Sequence, residues 1–160
     1  MKYGIHTIDD FDVFGKTVLL RVDINEPVDK ENGVLTDITR IEGCAPTVKE
    51  LSDRGAKLVV LAHQGSDIEY KNYYHLKPHA GVISDLTGKY VEYVPDVCGP
   101  FAQEKIRALK NGKIILLDNV RFMAEEMTLF ETKLNLLPEQ QAKTRVVSAL
   151  APLADLFVVD

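Results

Sequence analysis

The sequence predicts an α/β fold, namely a three-layer, Rossmann-like parallel β-sheet with helices on both faces. Short apolar runs alternate along the chain with amphipathic segments of helical spacing, and this alternation is typical of parallel sheets with right-handed crossovers. Most of the runs lack an inward/outward alternation of side chains, as expected for strands that are covered on both faces. Such sheets bind ligands at the carboxyl ends of their strands, so polar motifs at those ends are candidates for a site.

Five apolar runs are predicted to form the strands. They cover residues 17–22, 57–62, 90–94, 113–117 and 156–159. Each run has the length of a strand, and none approaches the length needed to span a membrane. Polar motifs follow the first, second and fourth runs, near Arg21, His63 and Asn119. Periodicity alone therefore places these motifs at one edge of the sheet.

Four helices are predicted between the strands. The first covers residues 39–54, and Pro46 is expected to split or kink it. Gly88 is expected to end the second helix, whereas Pro100 and Pro138 are suited to opening the third and the fourth. The positions expected to face inward are Leu76, Ala80, Ile83 and Leu86 in the second helix, Ala102, Ile106 and Leu109 in the third, and Ala142, Val146, Ala149 and Leu150 in the fourth.

The composition is that of an ordinary globular domain. The chain has 160 residues, 46% of them hydrophobic and 27% charged, which suffices for one domain with a core. A formal net charge of −5 argues against a general nucleic-acid or membrane surface, so an anionic ligand needs local cations. Residues 1–10 lack the apolar segment of a signal peptide, and a cytoplasmic protein is expected.

The cysteines, histidines and glycines predict neither a metal site nor a nucleotide site in this chain. Cys44 and Cys98 are far apart, and buried thiols are favoured over a disulfide. His75 and His79 are spaced to share a helix face, but no further ligands are evident. The glycines form neither a GxGxxG nor a Walker pattern, so no phosphate-binding cradle for a nucleotide is predicted.

The segment RVDINEP, residues 21–27, is the most informative stretch of the chain. Arg21, Asp23 and Asn25 alternate at the end of the first strand, and alternation in an extended chain places them on one face. A cation, an anion and an amide presented together suit a polar ligand. An edge strand whose charges meet water gives the same pattern, so the segment by itself leaves both interpretations open.

Several segments together resemble the phosphoglycerate kinase family. RVDINEP is similar to its RVDFN-x-P signature near the N terminus. TDITRI at 36–41 resembles the family's TDxTRI, AHQG at 62–65 resembles its SHLGR segment in a form associated with archaeal members, and DNVRF at 118–122 resembles its ENxRF. The order and spacing agree from about residue 11 to residue 160, and this range corresponds to the front half of the family's length.

The resemblance implies roles for five side chains in binding 3-phosphoglycerate or 1,3-bisphosphoglycerate. Asp23 and Asn25 would hold the hydroxyl and carboxylate end of the substrate. His63 would lie in the acid-substrate site, and Arg121 would contact the substrate phosphate. Arg40 would approach the transferred phosphoryl group and is the predicted catalytic residue. Without the resemblance, Arg40 would be an exposed arginine at a helix start and His63 a structural histidine. Arg121 would be an arginine bridged to a neighbouring helix.

Three supporting residues and one departure from the family pattern complete the predicted site. Arg21 is expected to brace the site from below, and the turn at Gly65 to bring backbone amides near an anion. Asn119 belongs to the motif after the fourth strand. Ser66 stands where the family usually has a basic residue, which removes one phosphate-binding cation. The Glu125-Glu126 pair is expected to be a solvated turn or a helix start rather than a catalytic pair.

The resemblance also implies a domain organisation and a reaction. Residues 1–160 would be a truncated N-terminal, 3-phosphoglycerate-binding domain, with the C-terminal nucleotide domain of the same parent chain absent. The parent would transfer a phosphoryl group reversibly between 1,3-bisphosphoglycerate and ADP, giving 3-phosphoglycerate and ATP in glycolysis. Mg-ATP or Mg-ADP would bind the missing domain, so this chain is expected to bind no cofactor and to be inactive alone. The alternatives are a non-catalytic α/β anion-binding module and, less favoured, an unrelated dinucleotide enzyme.

Overall fold

Five parallel strands form one sheet at the centre of the protein, in a computed structural model that describes residues 4–29, 31–65, 73–127 and 134–160. The strands are β1 (Thr17–Arg21), β2 (Lys57–Leu61), β3 (Val91–Val94), β4 (Ile114–Leu117) and β5 (Leu156–Val159). Their order across the sheet is β3-β4-β2-β1-β5, and every neighbouring pair is parallel. All five predicted strands are confirmed, each within one residue of its predicted ends.

Helices connect successive strands. They are α1 (Thr39–Asp53), α2 (Lys77–Thr87), α3 (Pro100–Ala108), α4 (Pro138–Gln141) and α5 (Arg145–Leu150). Short 3₁₀ turns lie at Ile8–Asp10, Val120–Phe122, Ala124–Glu126 and Ala151–Leu153. Gly88 ends α2 with a left-handed backbone, φ 66°, and Pro100 and Pro138 each open a helix as predicted.

The sheet is covered on both faces, which confirms the predicted three layers. Alternate strand residues such as Leu20 and Val60 pack in one buried cluster with the apolar residues of α1 and α2. Their neighbours Leu19 and Val59 pack in a second cluster with α3 and α5. Both faces of the central strands are therefore apolar, and this explains why their sequences lack an inward/outward alternation.

The first helix corrects one prediction. α1 runs through Pro46 as a single helix, so the predicted split is not observed. Proline removes one N–H from the helix ladder, yet Pro46 lies on the exposed side of α1. Ile41 and Val48 on the opposite side are fully buried against the sheet. This packing holds the helix together across the missing hydrogen bond.

Three predictions about the other helices are wrong. The single helix expected after Pro138 is divided into α4 and α5, because the carboxylate of Glu125 accepts hydrogen bonds from the backbone N–H groups of Arg145 and Val146 and so caps a new helix start. Leu86 and Ala142, both expected to face inward, are exposed, Leu86 at 41%. The buried stripe of α2 instead contains His79, Ala80, Ile83 and Thr87.

The two thiols lie in different layers. Cys44 is buried in the cluster under α1, and Cys98 in the cluster under α3. Both cysteines are free, as the sequence predicts. Burial raises the pKa of Cys44 to about 12 and also raises the pKa of Cys98, so both stay protonated at neutral pH. No helix in the described part of the chain is long and apolar enough to cross a membrane.

Candidate functional site

The turns after β1, β2 and β4 meet at the carboxyl edge of the sheet. These three strands are neighbours, so the polar motifs that follow them lie side by side. The side-chain oxygen of Asn25 accepts a hydrogen bond of 2.8 Å from the backbone N–H of Gly65. The backbone N–H of Val120 donates to the carbonyl of Ala62 at 3.1 Å. Hydrogen bonds thus fix the three turns to one another.

Asn119 is the buried link between the turns after β2 and β4. Its side chain is 0% exposed. The side-chain oxygen accepts hydrogen bonds from the backbone N–H groups of Gln64 and Arg121, both at 3.0 Å. The side-chain amide donates to the carbonyl of Gln64 at 2.7 Å and to that of Tyr74 at 3.0 Å. Four bonds from one amide hold the segments that carry His63, Gly65 and Arg121 in register.

Arg40 lies in the first turn of α1, where two carboxylates surround it. Its guanidinium forms an ion pair with Asp23, and both side chains are about half exposed, at 53% and 51%. The buried carboxylate of Glu26 accepts hydrogen bonds from the backbone N–H groups of Arg40, at 2.6 Å, and of Ile41, at 3.0 Å. Glu26 thereby caps the positive end of the helix dipole, where a cation alone is unfavourable.

Gln64 connects this helix start to α2. Its side-chain amide donates to the carbonyl of Glu26 at 2.8 Å, and its side-chain oxygen accepts from the Glu26 N–H at 3.1 Å. The same oxygen lies 2.9 Å from Nε2 of His79, a side chain that is 1% exposed. Burial lowers the pKa of His79 from 6.5 to about 4, so the ring is neutral at pH 7. Because the side-chain oxygen of Gln64 can only accept, the neutral ring donates to it from Nε2–H.

Glu126 brings the two remaining arginines together on the other side of the site. The Arg21 guanidinium pairs with the Glu126 carboxylate at 3.1 Å. Arg121 donates from its guanidinium to the backbone carbonyl of Glu126 at 2.8 Å. Neither glutamate of the Glu125-Glu126 pair is a solvated residue, since Glu125 caps α5 and both side chains are half-buried.

A cleft of about 600 Å³ opens beside the first turn of α1. Arg40, Asn25, Gly65 and Thr39 contribute to its lining, and Asp23 is joined to it through the ion pair with Arg40. His63 and Arg121 belong to the adjoining turns and lie outside the described lining of the cleft. Ser66 falls outside the described residues. The described lining provides a cation, an amide and a glycine backbone around one space, together with the carboxylates of Glu26 and Asp37.

The two histidines considered together in the sequence have different partners. Nδ1 of His75 lies 2.6 Å from the buried carboxylate of Asp118, and the side chain of His75 is 71% exposed. His79 is buried against Gln64. His75 precedes α2, so the two do not share a helix face. Across the four described ranges, no cluster of three or more His, Cys, Asp or Glu side chains is arranged to hold a metal ion.

Sequence reasoning did not assign roles to Glu26, Gln64 and His79. Glu26 and Gln64 fall inside the quoted motifs, but their partners are 14 and 38 residues away in sequence. His79 was considered only as a metal ligand. The sequence offered only the presence of a polar side chain at each position, and that signal identifies neither partner nor function.

Fold and site define an α/β protein of the doubly wound class, with polar turns gathered at the carboxyl edge of a parallel sheet. The family model described as phosphoglycerate kinase matches residues 8–160. The chain therefore belongs to the phosphoglycerate kinase family.

Relatives of known name agree with this assignment. The chain is 46% identical over 160 residues to a phosphoglycerate kinase of Methanothermobacter thermautotrophicus, covering 100% of this chain and 37% of that protein. It is 42% identical to a phosphoglycerate kinase of Sulfurisphaera tokodaii, covering 98% and 36% of the two proteins. The crystal structure of phosphoglycerate kinase from Pyrococcus horikoshii OT3 matches with a TM-score of 0.87 and 36% identity, over 98% of this chain and 36% of that one. The chain thus spans somewhat more than a third of its relatives' length, rather than the front half that the motifs predict.

Proposed function

We propose that this chain is the acidic-substrate half of a phosphoglycerate kinase and binds 3-phosphoglycerate or 1,3-bisphosphoglycerate at the cleft beside α1. The observation that carries the proposal is the position of Arg40, a cation beside a polar cleft at the carboxyl edge of the sheet. In the longer protein a nucleotide domain would supply Mg-ATP or Mg-ADP. Family membership supports the proposal, and so does the absence of a nucleotide motif from this sequence. The cytoplasmic location implied by the family stays a prediction.

The reaction divides into positioning and charge neutralisation. In the direction of ATP use, a carboxylate oxygen of 3-phosphoglycerate attacks the γ-phosphorus, and the bond from that phosphorus to the bridging oxygen of ADP breaks. Asn25 and Asp23 would orient the glycerate end, and His63 and Arg121 the substrate phosphate. Arg40 would meet the charge on the transferring group. Phosphoryl transfer needs little covalent help from the protein, so these roles suffice for this half.

A kinetic comparison in the full-length parent tests the assignment of Arg40. Arg40→Ala should lower kcat on the order of a hundredfold, because a charge that develops in the transition state loses its stabiliser. Arg121→Ala should mainly raise KM, because a contact with the substrate phosphate is present throughout the reaction. Lys49→Ala is the matched control, since it removes an exposed cation of α1 that pairs only within the described helix, with Asp53. If Arg40→Ala leaves kcat near the parent's value, Arg40 is a binding residue.

Titration of the 160-residue chain tests the binding half alone. 3-Phosphoglycerate should shift the NMR signals of Asn25, Arg40 and Gly65, which surround the cleft. The chain should not consume ATP, because its sequence contains no nucleotide-binding motif. Shifts restricted to the amino-terminal edge of the sheet would refute the location. Binding by the parent without any turnover would favour the non-catalytic anion-binding module.

A further inference from the structure

We propose that His79 is a positioning residue, which holds the first turn of α1 and with it Arg40 in place through Gln64 and Glu26. His79 lies on α2, on the far side of Gln64 from the helix start that carries Arg40. The consequence for substrate rests on the proposed function, whereas the mechanical link can be tested without substrate.

The first step of the link is the orientation of the Gln64 amide. A neutral, buried imidazole with its proton on Nε2 presents a donor to Gln64 at 2.9 Å. The side-chain oxygen of Gln64 faces both His79 and the Glu26 N–H, and its NH₂ group faces the carbonyl of Glu26, so His79 adds a third hydrogen bond to the two that orient this amide. With His79 in place, this hydrogen-bond pattern satisfies both ends of the amide.

The second step joins Gln64 to the backbone and side chain of Glu26. Two hydrogen bonds, of 2.8 and 3.1 Å, hold both backbone groups of Glu26 to the Gln64 side chain. Because its backbone is held at both groups, the Cα of Glu26, from which its side chain starts, is fixed. Its carboxylate then reaches the N–H groups of Arg40 and Ile41. The position of the Glu26 cap therefore depends on Gln64, whose amide is held by Glu26 and His79 together.

The third step reaches the cleft. Arg40 starts from the capped turn, and its guanidinium pairs with Asp23, three residues before Glu26 on the same segment. Loss of the His79 donor leaves the Gln64 amide with its two described bonds to Glu26, so the amide is held less firmly. The first turn of α1 should then open more often, and Arg40 should spend less time beside the cleft.

The test compares two substitutions of similar length in the 160-residue chain. His79→Met removes the donor, and His79→Gln keeps an N–H of similar reach. Thr87→Val is the control, because Thr87 is a buried polar residue of α2 whose hydroxyl makes local bonds, donating to the carbonyl of Ile83 and accepting from the N–H of Lys89. Amide hydrogen exchange is measured by NMR, and the rates are normalised to the global stability of each variant by denaturant titration.

The expected result is local and specific. In His79→Met the Arg40 and Ile41 amides should exchange roughly tenfold faster than in Thr87→Val, and His79→Gln should restore most of the protection, as one hydrogen bond is worth about that factor. Affinity for 3-phosphoglycerate should fall in parallel. Equal normalised exchange in His79→Met and Thr87→Val would overturn the link. Unchanged affinity for 3-phosphoglycerate despite faster exchange would overturn the part of the proposal that concerns the substrate. If the unaltered chain does not bind 3-phosphoglycerate, the proposed function fails, while the exchange data still decide the role of His79.

Discussion

Mild acid should destabilise this protein through His79. The pKa of His79 is lowered by burial from 6.5 to about 4, so between these values the unfolded chain binds a proton that the folded chain rejects. The contribution of neutral His79 to stability is therefore complete above pH 6.5 and is lost as the pH falls towards 4. The shift corresponds to roughly 3 kcal/mol in total, of which about 2 kcal/mol should be lost by pH 5.

Urea denaturation at a series of pH values measures this loss. The free energy of unfolding is determined between pH 7.5 and pH 5 for the unaltered chain and for His79→Gln, which has no titratable group at this position. The difference between the two curves should shrink by about 2 kcal/mol across that range. The carboxylates whose pKa is lowered by hydrogen bonds, such as Asp37 and Asp53, lose their contribution only at lower pH.

A constant difference between the two curves would refute the reasoning. It would mean that the folded protein accepts a proton on His79 as readily as the unfolded chain does. Since the side chain is 1% exposed, that result would require the region around Gln64 to open at little cost. The same titration would then also weaken the assignment of His79 as a rigid support for α1.

Further predictions concern two glycines and one carboxylate, each measured by denaturant unfolding. Gly55→Ala should cost about 1–2 kcal/mol, because φ is +80° and a Cβ would lie 2.5 Å from the ring of Phe14; an unchanged stability would contradict this. Gly43→Ala, in the middle of α1 with open space at the Cβ position, should stabilise by about 0.5–1 kcal/mol, and a loss would show a contact that the structure lacks. Glu26→Gln should cost about 1–2 kcal/mol by removing the charge that caps α1, whereas Glu42→Gln, an exposed carboxylate of the same first turn, should cost only about 0.3 kcal/mol.

The sheet could be predicted because its signals are local. Each strand is a continuous apolar run bounded by polar or turn residues, and burial on both faces leaves no competing pattern. The helix errors have non-local causes. Packing of Ile41 and Val48 overrides Pro46, and Glu125 interrupts the last helix from 20 residues upstream. Helix propensity reflects neither of these long-range contacts. The sequence pattern therefore predicts a break at Pro46 that does not form and misses the break before Arg145.

The site was predictable in outline for a related reason. The carboxyl ends of parallel strands share one edge, so knowing which strands carry polar ends is enough to group Asn25, Gly65 and Asn119. The supports were not predictable. Gln64 finds Glu26 and His79 across 38 and 15 residues, and no spacing rule covers such contacts. Asp23 and Arg40 were both singled out, but their ion pair across 17 residues was not foreseen.

The buried Glu26 cap and the exposed Asp23–Arg40 ion pair differ in strength, and this difference affects how a substrate would bind. Asp23 and Arg40 are half exposed, and a pair of this kind is worth at most about 1 kcal/mol. An anionic substrate can therefore displace Asp23 from the guanidinium at little cost and gain charged hydrogen bonds in exchange. The backbone of Arg40 is meanwhile held by the buried carboxylate of Glu26, whose removal costs more. Under the proposed function, the helix start stays fixed while the cation it carries exchanges partners, which is the combination that positioning a phosphoryl group requires.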